Sequence, residues 1–120
     1  MHQSILTSIK KLLGLEESYE YYDQDIIMHI NSVLATLTQL GIGPADGFAI
    51  TDKEAVWQDF IGNAKNLEAI RSYIYLKVRL LFDPPASSAV IESMNRQASE
   101  YEWRISVIAE HGPDAANGVR

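Results

Sequence analysis

The chain has 120 residues, 47% of them hydrophobic, no cysteine and a formal net charge of −6. This is the size and composition of one globular domain with its own core, and the lack of cysteine excludes a disulfide framework, a thiolate metal site and a cysteine nucleophile. An acidic surface argues against nucleic-acid binding by counterion release, and no apolar run approaches the roughly 20 residues a membrane helix needs.

Met1-His2-Gln3-Ser4 has neither the basic start nor the cleavage site of a secretory leader, so none is expected. Ser4 to Leu13 carries Ile5, Leu6, Ile9, Leu12 and Leu13 at helical spacing, with Gly14 as the stop. Glu16 to Tyr22 is acidic and aromatic and reads as a connection. Asp23 to Leu40 is the clearest helix. Ile26, Ile30, Val33, Leu37 and Leu40 recur in steps of four and three, Asp23 and Asp25 suit the positive end of the dipole, and Gly41 ends it.

Gly41 to Ile50 holds three glycines and Pro44 and predicts a loop, in which Phe48 and Ile50 alternate as a short strand or clip. Thr51 and Glu54 have capping-box spacing. They predict a short helix that buries Val56 and Phe60, with Trp57 beside them, and ends near Gly62.

Asn66 to Phe82 fits two periods. Ile74, Leu76, Val78 and Leu80 alternate as in a strand, whereas Leu67, Ile70, Ile74, Val78 and Leu81 fit a helix. The helical pattern persists for more than four turns, longer than a typical strand, and it lines up Glu68, Ser72, Tyr75, Arg79 and Asp83 as one polar row. A central helix is predicted.

Asp83-Pro84-Pro85 breaks the chain. Ser87 or Ser88 caps a last helix, Ser88 to Ala109, whose inner stripe is Ile91, Met94, Ala98, Tyr101, Ile105 and Ile108. Glu92 with Arg96 and Glu100 with Arg104 are spaced for ion pairs. The fold class is therefore all-α: a compact domain of about five helices over residues 1–111 and a flexible tail over residues 112–120.

No constellation for chemistry appears. His2, His29 and His111 lack metal-site spacing, no serine sits in a nucleophile elbow, and Gly41, Gly43 and Gly47 lack the lysine of a phosphate loop. Glu16, Glu17 and Glu20 read as a solvated acidic face, and Tyr19, Tyr21 and Tyr22 as packing at a helix start. No catalytic residue, cofactor or metal is expected. Two residues fit a monomer poorly. Lys77 lies on the apolar side of its helix, either snorkelling to water or pairing with an acid on another helix or subunit. Trp103 lies off its helix's stripe, close to Val107, at the edge of the core or against a partner.

Asp25-Ile26-Ile27-Met28-His29-Ile30-Asn31-Ser32-Val33, Tyr73-Ile74-Tyr75-Leu76-Lys77-Val78-Arg79-Leu80-Leu81-Phe82-Asp83-Pro84-Pro85 and Glu102-Trp103-Arg104 resemble the head–tail connector (adaptor) proteins of long-tailed bacteriophages and prophages. So does the Gly41-Ile42-Gly43-Pro44 loop with Phe48 and Trp57. The resemblance runs from about Ile5 to Glu110. It implies a structural protein with no active site, forming a homo-oligomeric ring, a dodecamer in the virion, beneath the portal protein. Such a ring extends the DNA channel at the virion neck and offers a platform to the stopper and tail proteins, with no membrane involved. Genomic DNA would pass without specific binding, which suits an acidic lining. Lys77, Trp103, Val107, Gly112, Pro113 and Arg120 are the candidate contacts between subunits or with partners. The alternative is a small helical protein-binding or regulatory module.

Overall fold

A computed structural model describes residues 3–62 and 66–111, with side chains as far as residue 109. Five helices follow one another: α1 (Ile5–Leu12), α2 (Asp23–Gln39), α3 (Trp57–Ile61), α4 (Leu67–Phe82) and α5 (Ser88–His111). Among the described residues there is no strand, only an isolated antiparallel bridge between Ser4 and Val56. The segment 112–120, with Gly112, Pro113 and Arg120, lies outside the described residues, as do His2 and the side chain of His111.

The helical reading of Tyr73–Phe82 holds, and α4 is the central element. It packs on α1, α2 and α5, with Ile70, Tyr73, Ile74, Leu76 and Val78 buried. Its polar row also forms: Arg79 donates to the Tyr75 hydroxyl at 3.4 Å and to the Asp83 carbonyl at 2.6 Å. A helix gains most of its stability in a protein from burying such a face, at roughly 1.5–3 kcal/mol for each large aliphatic side chain taken from water. On α2 the predicted stripe is the buried one, from Ile26 to Leu37.

The ends of the helices follow side-chain chemistry. Ser4 Oγ accepts from the Thr7 N–H and caps α1. Ser87 Oγ accepts from the Val90 N–H at the start of α5. Helix α2 closes on Gly41 at φ +90°, with the Ile42 N–H donating to the Leu37 carbonyl and Ile42 itself buried. Gly43 is forced by space as well as by φ (+84°): a Cβ there would stand 2.4 Å from Phe60 Cε1.

Three local expectations are corrected. Thr51 and Glu54 do not cap α3. Asp52 takes the Glu54 N–H in a local turn, and α3 is capped from inside by Asp59, whose Oδ2 accepts from the Val56 N–H at 3.0 Å. Val56 is half-buried while Trp57 is 2% exposed, its indole N–H donating to Ser8 Oγ at 3.1 Å. Phe48–Ile50 forms no strand. The Asn31 amide instead donates to the Ile50 carbonyl and accepts its N–H at 2.9 and 2.8 Å, which satisfies one residue as a strand partner would. Finally, neither Glu92–Arg96 nor Glu100–Arg104 closes to an ion pair among the described residues. The Arg104 guanidinium lies over the Tyr101 ring instead, 5.3 Å from its centre.

Candidate functional site

Helix α5 presents two faces of different character. Met94, Ala98 and Ile105 are buried, with Tyr101 half-buried between them. Trp103 stands nine residues after Met94, which at about 100° per residue is the opposite side of the helix. Its side chain is 69% exposed. An open groove there is lined by Arg96, Ser99, Glu100, Trp103 and Arg104. At this exposure most of the Trp103 ring stands outside the core. Val107 shares this side of α5 and is half-buried.

Lys77 is half-buried, and among the described residues no carboxylate closes an ion pair with it. It lies between buried Tyr73 and exposed Leu81, where the core side of α4 meets solvent. It does not line the Trp103 groove. Among the described residues the candidates are thus divided between two helices, with Lys77 apart from the Trp103 groove.

The lysine that the fold does bury is Lys10, at 2% exposure. Its ammonium donates to the carbonyls of Glu17 at 2.9 Å and Tyr19 at 2.7 Å. It lies 2.8 Å from Asp23 Oδ1 at the start of α2, an ionic contact more than a directed hydrogen bond. An ammonium has three protons to place; two go to these carbonyls, and its charge is met by Asp23. Sequence reading passed over Lys10. The available signal was its phase: it shares the Leu6–Leu13 side of α1 and precedes a connection rich in carbonyls and acids.

The connection held by Lys10 carries the tyrosines. Tyr19 and Tyr21 each meet Tyr22 edge to face, with Tyr21 and Tyr22 centres 4.9 Å apart, and Tyr22 meets Phe82 at 5.3 Å. His29 sits against the same Phe82 ring at 6.4 Å. These rings pack on one another as expected, yet they are not covered: Tyr21 is 78% exposed and Tyr19 48%. Met28 and Leu81 are exposed as well. The result is an aromatic surface at the junction of the connection with the last turn of α4.

Inside the α4–α5 contact, the Tyr73 hydroxyl donates to Glu102 Oε1 at 3.3 Å. Burial first, then the Glu102 charge and its hydrogen bond, push the Tyr73 pKa from 10.0 up to about 12. The phenol stays protonated at neutral pH and acts as a donor that ties the two helices. Among the described residues no three His, Asp or Glu side chains gather where a metal ion would be held, and no helix is long and apolar enough to cross a membrane.

The model of a family described as phage connector protein matches residues 5–112 of this chain. No curated protein and no solved structure matches it.

Proposed function

The chain belongs to the phage connector protein family, and we propose that it is the adaptor of a head–tail connector. In this reading, copies assembled after synthesis in the host cytoplasm form a ring beneath the portal protein at the virion neck. We take the ring to be a dodecamer that extends the DNA channel and seats the stopper or tail proteins. The family match over residues 5–112 is the observation that carries the reading.

Three features support it. The chain is acidic, with a net charge of −6, so DNA would slide past a ring of it without adhering. Helix α5 offers an uncovered Trp103 on the side away from its own core, and tryptophan is enriched at the centres of protein interfaces. A protein whose role is to dock needs no convergent titratable groups, and we assign it no turnover. Trp103 and Val107 of α5, Lys77 of α4, and Gly112, Pro113 and Arg120 of the 112–120 segment are the residues we assign to contacts beyond the subunit, with Lys77 meeting an acid of a neighbour.

Electron microscopy of the purified protein alone and mixed with the portal protein tests the assignment. Rings, or density added beneath the portal, are expected. Titration of labelled duplex DNA at physiological salt is the counter-test. A compact monomer that ignores the portal and binds duplex below micromolar, with steep loss on adding salt, overturns the reading.

A further inference from the structure

We propose that the tyrosine-bearing connection of one subunit seats in the Trp103 groove on α5 of the next, a directional contact between copies of this chain. The pairing rests on the connector reading and names the partner of its Trp103 surface.

The two surfaces lie apart on one subunit. Tyr22 packs on Phe82, the last residue of α4. Trp103 adjoins Glu102, which accepts from Tyr73, and Tyr73 precedes Phe82 by about 13 Å of helix. The Tyr19–Tyr22 rings are anchored at one level of α4, and the groove is anchored at another. A subunit held in this way does not fill its own groove, but a neighbour related by rotation can. Two different patches, each exposed and each able to receive the other, are what a heterologous, ring-closing interface requires.

Charge favours this pairing. Glu16, Glu17 and Glu20 are exposed on the connection, and residues 16–22 contain no base. The groove sets Arg96 and Arg104 against one acid, Glu100, in a chain whose net charge is −6. Complementary charges set the register of an interface and speed its formation. The rings supply the apolar contact: tyrosine gives large rigid area at low entropic cost, and an arginine face stacks readily on an aromatic one.

The buried ammonium then acquires a purpose on a surface connection. Lys10 fixes the Glu17 and Tyr19 carbonyls and Asp23, so the backbone carrying the tyrosines is ordered before the neighbour arrives. Ordering in advance removes part of the entropic cost of association.

Charge reversal tests the pairing. Glu16→Lys with Glu20→Lys makes one variant, and Arg96→Glu with Arg104→Glu makes another; all four side chains are exposed, so folding should be retained and is checked by melting. By sedimentation, each variant alone should self-associate about tenfold or more weakly than wild type. The four changes in one chain, or an equal mixture of the two variants, should restore association. In parallel, p-benzoylphenylalanine at position 103 in mixed light and 15N-labelled protein should cross-link, between copies, to residues 16–22. Variants that associate like wild type, cross-links that fall elsewhere, or no cross-link between copies would overturn the pairing. Ring formation and portal binding by the wild-type chain are scored separately, and it is their absence that would sink the connector reading itself.

Discussion

The Lys10 ammonium lies 2.8 Å from the Asp23 carboxylate, joining the last turn of α1 to the first turn of α2 across the connection between them. The two partners are unequally buried, at 2% and 19% exposure, so removing one does not mirror removing the other. Asp23→Ala strands a buried cation, and breaking a buried pair in this way costs about 3–5 kcal/mol. Lys10→Met leaves a carboxylate that can turn to water and two carbonyls without a donor, a loss of about 1–3 kcal/mol. Urea unfolding should therefore rank Asp23→Ala as the less stable of the two. The reverse ranking would mean that the carbonyl contacts dominate.

The Tyr73 proton gives stability a signature at high pH. Its pKa is 10.0 in its ordinary setting and about 12 in the fold. Between those values the folded chain binds the proton that the unfolded chain has released. The contribution is thus fully present below about pH 10 and is lost as pH rises toward about 12. In Tyr73→Phe this part of the pH dependence should vanish, along with about 1 kcal/mol from the hydrogen bond to Glu102. Melting curves from pH 8 to pH 11 for both chains provide the comparison.

Trp103→Ala should leave the melting temperature within about 2 °C of wild type, because an exposed surface substitution costs at most about 0.5 kcal/mol. Association should weaken by roughly 2 kcal/mol or more if the ring is an interface anchor. A chain ending at His111 should likewise keep its melting temperature and lose assembly. If both variants assemble like wild type, the interface assignment is wrong. Loss of folding in Trp103→Ala would instead return the tryptophan to the core.

Gly43→Ala meets two obstacles, a φ of +84° and the Phe60 ring at 2.4 Å from the new Cβ. The strain and the displaced ring should together cost about 2–4 kcal/mol. Gly47→Ala, at φ +98° with open space around it, carries the backbone strain alone and should cost about 1–2 kcal/mol. Chemical denaturation of the pair separates crowding from conformation.

The helices were legible because burial writes its period into the sequence. The stripes of α2 and α5 and the long double-sided run of α4 each needed only spacing and length to be assigned. The phase of Trp103 was legible for the same reason, as nine residues from Met94 cannot lie on the Met94 side. The features that escaped depend on contacts distant in sequence or on competition within a turn. Asn31 and Ile50 are brought together only by the fold. Thr51 had the spacing of a cap, but Asp59 caps the start of α3 instead. Lys10 was hidden because lysines at the end of a helix commonly face water and complement the dipole. Arg104 lies over an aromatic face and closes no ion pair with Glu100.

The bridge between Ser4 and Val56 sets an order of events. Ile5 donates to the Ala55 carbonyl, and Trp57 donates to that of Gln3. Each is the first residue of its helix, where an amide has no partner within the helix itself. Each helix start is therefore completed by the strand of chain that leads into the other. These two amides should open together in hydrogen exchange, however far their helices differ in local stability. Each half of the clasp closes a loop of chain that contains the whole of α2. The joining of the first helix to the chain near position 56 is therefore expected late in folding, since contacts that span so much sequence carry the cost of loop closure.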